Sequence, residues 1–167
     1  MHNLIILGID PGYGIVGFGI IEKTAYSVKV LDYGAIFTYK EDAFPERLRK
    51  ISVGINQLID KYKPDVMCLE ELFFNHNATT AINVAQARGV IMLAGVQRIG
   101  KLYEYTPLQI KQALTGQGRA DKKQVQYMVK AILNLNSVPK PDDAADALAV
   151  ALTHAQTNNV LSGTEIK

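Results

Sequence analysis

Cysteine is nearly missing from this 167-residue chain: Cys68 is the only one, so no intrachain disulfide can form. Its apolar surroundings, VMCLE, point to a buried thiol in a reducing compartment, and the cytoplasm is the expected address. No apolar run approaches the roughly 18 residues that a membrane span needs. The N-terminal MHNLIILGID lacks a basic leader and runs straight into a strand-like segment, so a soluble protein is expected. Tryptophan is missing as well, which excludes nothing. Charge of one sign is not in excess, since the net charge is only +2. Internal repeats and low-complexity tracts are missing, and 48% apolar with 20% charged residues excludes a disordered chain. The length suffices for one core without disulfide or metal staples. A single domain over residues 1–158 is expected, with 159–167 as a flexible C-terminal tail.

What is present has a clear order. LIILGID, VGFGIIEK and YSVKVLDYGAIFTY read as three strands, and their short separators make an antiparallel meander. PERLRKISVGINQLIDKYKP places Leu48, Ile51, Ile55, Leu58 and Ile59 at helical spacing, with Pro64 as a stop. DVMCLEELFF is apolar on both pleat faces apart from Glu70 and Glu71, the mark of a central strand covered on both sides. A helix separates it from the meander, so its pairing is expected to be parallel. NATTAINVAQARGVIMLAGVQRIG predicts a second long helix capped by Asn77 or Thr79, KLYEYT a fifth strand, and PLQIKQALTG a short helix with proline in its first turn. DKKQVQYMVKAILNL and DDAADALAVALTHAQTN add two further helices. The fold class is α/β, a mixed five-stranded sheet flanked by helices on both faces.

Three places hold carboxylates that folding alone would not choose. Asp10 ends the first strand, Glu70 and Glu71 interrupt a buried one, and Asp142, Asp143 and Asp146 open the last helix. Asp143 and Asp146, three apart, share a helical face, while Ala144, Ala145 and Ala147 leave room for another element to approach. If that helix lies across the ends of strands one and four, the acids form a self-repelling cluster that only cations can fill. Carboxylates without His or Cys partners suit Mg²⁺ or Mn²⁺ rather than Zn²⁺. Two such ions roughly 4 Å apart activate water and stabilise the leaving oxygen of a phosphodiester. Each acid also has a plainer role available: Asp10 opens a turn, Asp142 caps a helix, and first-turn acids complement the helix dipole. Glu70 resists that treatment, because a carboxylate inside VMCLEELFF is desolvated unless paired. Pleat alternation does not separate Glu70 from Glu71.

The charge distribution adds a polyanion to the picture. From Arg98 to Lys130 there are seven basic residues against two acids, so this stretch carries +5 and the remainder −3.

GIDPG, LEELFF with NxxTA after it, AQARGV, IKQALTG, DKKQVQYMV and DDAADALAVALTH together resemble, in order and spacing, the RuvC-type Holliday-junction resolvases, over about Leu4 to His154. The resemblance implies a ribonuclease-H-like fold and a Mg²⁺-dependent endonuclease that acts as a homodimer on four-way DNA junctions, with RuvA and RuvB as branch-migration partners. Carried over by motif, the catalytic, metal-holding acids are Asp10, Glu70, Asp143 and Asp146, which selects Glu70 over Glu71 and Asp143 over Asp142. Some members carry histidine at the fourth position; Asp146 here favours an all-oxygen site. Lys111 and Lys122 match basic residues that serve DNA phosphates, and Arg119 and Lys123 in the same basic stretch are counted with them. Phe73 matches an aromatic presented to bases at the crossover. Three rivals remain: a ribonuclease-H-like nuclease acting on RNA; an actin-like ATPase or kinase, which would need a second phosphate loop and a second domain; and a binding module that has lost catalysis, against which the complete set of acids counts.

Overall fold

A computed structural model of the protein describes residues 3–72, 77–157 and 164–167. The element order is β1 (Leu4–Asp10), β2 (Ile15–Lys23), β3 (Val28–Phe37), α1 (Phe44–Tyr62), β4 (Val66–Glu70), α2 (Ala78–Arg98), β5 (Leu102–Tyr105), α3 (Pro107–Thr115), α4 (Lys122–Ile132) and α5 (Asp142–Gln156). The five strands form one sheet in the order β3-β2-β1-β4-β5. The meander is antiparallel, and β4 pairs in parallel with both β1 and β5, as helical connections require. This is the mixed α/β architecture expected, with a ribonuclease-H-like strand arrangement.

Local chemistry explains where the helices start and stop. Asn77 caps α2 by accepting from the Thr80 amide at 3.2 Å. Thr106 and Gln109 form a reciprocal capping box at α3, with Pro107 in its first turn, and Asp121 and Gln124 do the same for α4. α1 ends at Lys63, whose positive φ closes the helix just before Pro64.

Strand alternation sorts the core into two layers. Leu7, Ile9, Met67 and Leu69 pack against Ile51, Ile55 and Ile91 of α1 and α2. On the other face Ile6, Val66 and Cys68 pack against Ile110, Val125, Val129 and the apolar length of α5. Helix α5 is almost wholly buried, from Ala144 to Thr153. Its alanines meet a side-chain-free patch of β1 and β2: a Cβ on Gly17 would overlap the Asp143 carbonyl, and one on Gly8 would sit 2.8 Å from the Ala151 Cβ.

The tail expected over residues 159–167 is in part built into the sheet edge. The Thr164 carbonyl accepts from Glu104 N at 2.9 Å, Ile166 N donates to the Leu102 carbonyl at 2.9 Å, and Glu165 bridges Tyr103. The free edge of β5 offers unpaired backbone groups, and Thr164–Ile166 satisfy them.

Gly17→Ala is expected to lose about 2 kcal/mol or more of stability, since the new methyl must push α5 off the sheet. Chemical denaturation measures this; a midpoint equal to that of the unaltered protein would show that α5 does not depend on the close approach.

Candidate active site

Pleat geometry delivers two acids to one face at one end of the sheet. Asp10 follows Ile6 and Gly8 on the α5 side of β1, and Glu70 follows Val66 and Cys68 on the same side of β4. The parallel register Gly8↔Cys68 and Ile9↔Leu69 brings these two strand ends level with each other. Glu71 lies past the strand and instead lines a separate hollow with Leu72, Ala85, Arg88 and Glu104. Register thus sets Glu70, and not Glu71, level with Asp10.

Helix α5 brings the other two. Gly17 pairs directly with Asp10 across the antiparallel ladder, and the backbone of Asp143 rests on Gly17. The first turn of α5 therefore sits over Asp10. Three residues on, Asp146 faces a cavity of about 220 Å³ that it lines with Glu70, Lys111, Lys122, Pro107, Ile110, Val125 and Ala149. Asp142 is only partly covered and is engaged elsewhere, 2.8 Å from the Lys140 ammonium.

The electrostatics follow from this crowding. Burial, reinforced by Glu70, Asp146 and Asp143 and opposed by Lys122, pushes the Asp10 pKa up to about 8. Burial, together with the Asp146 charge and against Lys122 and Lys111, pushes Glu70 up to about 7. Asp146 is also raised, by burial first, with Lys122 opposing and the Asp143 and Asp142 charges adding to the shift. Desolvation works against the Lys122 ammonium, yet Asp146, Asp142 and Asp10 outweigh it and raise its pKa. Lys122 Nζ stands 3.2 Å from Asp146 Oδ2 and 3.7 Å from Asp142 Oδ2.

Among the described residues, no three His, Cys, Asp or Glu side chains are drawn together tightly enough to grip an ion without moving. Mutual repulsion among four carboxylates accounts for that spread. The donor chemistry nonetheless fits a hard divalent cation: the acids offer oxygen ligands, two of them are held near neutrality by burial, and among the described residues the cavity walls offer no soft ligand.

Of the residues picked out by sequence, Asp10, Glu70, Asp143, Asp146, Lys111 and Lys122 converge here. Lys123 points away, into a groove on the other flank of α4, and Arg119 is exposed in the α3–α4 connection. Phe73 lies outside the described residues. Sequence reasoning missed Gly8 and Gly17 as the spacers that let α5 reach Asp10. Their signal was available, because glycine inside an apolar strand marks close approach of another backbone.

A family model described as "Crossover junction endodeoxyribonuclease RuvC" matches residues 6–154. The chain is 53% identical over 164 residues to a protein of that name from Alkaliphilus metalliredigens (strain QYMF), covering 98% of this chain and 100% of the relative. Among solved structures, the Thermus thermophilus RuvC structure superposes with a TM-score of 0.84 at 34% identity, over 97% of this chain and 98% of that one. The structure of T. thermophilus RuvC in complex with Holliday junction substrate gives 0.82 at 32%, over 92% and 93%.

The raised acids make stability depend on pH in a definite direction. Folded, Asp10 and Glu70 hold protons to about 8 and about 7, whereas unfolded carboxylates release them near pH 4. Their contribution is therefore fully present below about pH 4 and lost as pH rises through the folded values. In EDTA, Tm of the unaltered protein relative to Asp10→Asn is expected to fall between about pH 5 and pH 8.5, and Mg²⁺ to restore more of it at the upper end. A difference independent of pH would show that Asp10 is not carrying this charge penalty.

Proposed function

The chain belongs to the RuvC family of crossover junction endodeoxyribonucleases, and on that premise we propose that Asp10, Glu70, Asp143 and Asp146 form the catalytic centre with which it cuts four-way DNA. The reaction is resolution of Holliday junctions in recombination and repair, by paired symmetric nicks that leave 5′-phosphate and 3′-hydroxyl ends. The observation that carries the assignment is the burial of Asp10, Glu70 and Asp146 against one another beside Lys111 and Lys122. Buried like charges cost stability, and a nuclease is a reason to keep them.

Nucleases of this family depend on divalent metals. We assign Mg²⁺, two ions per site with Mn²⁺ able to substitute, to the four carboxylates; bound there, the metal supplies an activated water and charge stabilisation at the phosphate. The protein's own groups have separable tasks. Asp10 and Glu70, fixed at strand ends, give the site its rigid half, while Asp143 and Asp146 close it from α5. Lys111 and Lys122 on the opposite wall hold a phosphodiester in the cavity by its non-bridging oxygens. Pro107, Ile110 and Val125 give that wall an apolar surface, which strengthens these charge contacts. Arg119 and Lys123 attract the flanking DNA. Phe73, three residues after Glu70 in the sequence, is assigned to the bases at the crossover.

A second assignment concerns symmetry. α2 buries Ala87, Ile91, Ala94 and Gly95, yet Ile82, Leu93 and Val96 on its outer side are each more than half exposed, and a Cβ on Gly89 would meet nothing within 4 Å. Positions 82, 89, 93 and 96 form one apolar stripe of heptad spacing. Such a stripe suits a second copy of the chain, and a C₂ dimer presents two sites to the two strands that must be cut. RuvA and RuvB are the branch-migration partners that membership implies. A cytoplasmic address fits, and among the described residues no helix is long and apolar enough to cross a membrane.

On a synthetic four-way junction with Mg²⁺, paired nicks are expected, with no cutting of linear duplex or RNA. Asp10→Asn, Glu70→Gln, Asp143→Asn and Asp146→Asn should each cut at least about a hundredfold more slowly while still binding junctions, because affinity resides in Lys and Arg. A dead Glu71→Gln beside an active Glu70→Gln would reverse the choice of glutamate. Leu93→Glu should convert a dimer to a monomer in sedimentation velocity and lose the pairing of nicks; a persistent dimer would move the interface elsewhere.

A further inference from the structure

The catalytic cavity uses only one flank of α4. Lys122 and Val125 line it, whereas Lys123, one residue and about 100° further round the helix, lines a second groove of about 370 Å³ with Thr115, Gln117, Gln124, Tyr127 and Met128. Two consecutive lysines thus serve two adjacent concavities, and the helix between them makes the surface continuous.

The outer face of α4 repeats this chemistry. Lys123, Tyr127 and Lys130 follow each other at i, i+4 and i+7, which places them in one stripe. The Tyr127 ring is 64% exposed, so it is not retained for the core. Among the described residues, neither Lys123 nor Lys130 nor the neighbouring Arg119 makes an ion pair. The one acid lining the groove, Asp121, is engaged as the α4 N-cap, accepting from Gln124 N at 2.8 Å. From 123 to 130 the stripe runs about 10 Å at 1.5 Å per residue, about three base-pair steps at 3.4 Å along one strand. Lysine, tyrosine, threonine and glutamine are the side chains that position nucleic-acid backbones through phosphate and sugar.

We propose that this groove and stripe are a second DNA-contact site, which holds the sugar–phosphate backbone of a duplex arm as it leaves the catalytic cavity. The inference rests on the junction-cutting reading above and extends it to Tyr127 and Lys130. Lys123 and Lys130 meet phosphates about three steps apart on one strand, and Tyr127 between them packs its ring on the sugar and points its hydroxyl at a phosphate oxygen. The arm is thereby fixed in direction relative to the scissile phosphate.

The test uses the full chain and a four-way junction with arms of about two helical turns, in Ca²⁺, by fluorescence anisotropy over a salt series and by hydroxyl-radical footprinting. The variant Lys123→Ala/Tyr127→Ala/Lys130→Ala is expected to raise Kd about tenfold, to flatten the salt slope by about two, and to lose protection on arm phosphates while protection at the crossover remains. Tyr127→Ala alone should weaken arm protection with Tm unchanged, which keeps the test open if the triple variant folds poorly. An unaltered slope and footprint in a variant that still binds and cuts junctions would overturn the arm site alone. Failure of the unaltered protein to bind a four-way junction would overturn the junction reading, and the arm site with it.

Discussion

Everything in the acidic site depends on how closely α5 can approach β1 and β2. The helix carries no large side chain toward the sheet near its start, and the sheet carries none toward the helix at Gly8 and Gly17. Backbone therefore rests on backbone, and Asp143 comes to lie over the residue paired with Asp10. An ordinary helix–sheet separation, set by Leu or Ile, would leave the helix acids several ångströms short of the strand acids. The glycines and alanines give up apolar burial, and what they gain is position.

That position is electrostatically unfavourable, and the fold compensates for it only in part. Asp10 and Glu70 are pushed to about 8 and about 7, chiefly by burial. Among the described residues, Lys122 is the cation in direct contact with the cluster, 3.2 Å from Asp146. Both strand acids sit at the ends of central strands whose preceding residues, Ile9 and Leu69, are fully buried, which fixes the backbone that carries them. Strain of this kind is concentrated where chemistry needs charge that the folded state alone would not keep.

The sheet also separates tasks by face. One layer, α1 and α2, fills the far side and leaves an apolar stripe of α2 outward, suited to a second copy of the chain. The other layer, α3 to α5, builds the acidic cavity and then a basic flank beside it. The +5 stretch noted in the sequence maps onto this second layer and its approach. The exposed apolar stripe and the acidic and basic surfaces thus occupy opposite sides of one five-stranded sheet, and neither draws on the other's side chains.

Strand and helix order was legible in the sequence because it is written in local patterns: alternation in LIILGID and VGFGIIEK, three-four spacing in α1, the Asn77 cap of α2 and proline in the first turn of α3. The family motifs also singled out the acids, since their types and order are a property of the chain itself. Choosing between Glu70 and Glu71 on physical grounds required the parallel register of β4 on β1, which no local pattern contains. Likewise the two uses of neighbouring Lys122 and Lys123, the docking of Thr164–Ile166 on β5, and the exposure of Leu93 while Ile91 is buried all depend on which surfaces meet in three dimensions. Periodicity says that a helix has an apolar face; only packing decides which apolar residues are covered and which are left for a partner.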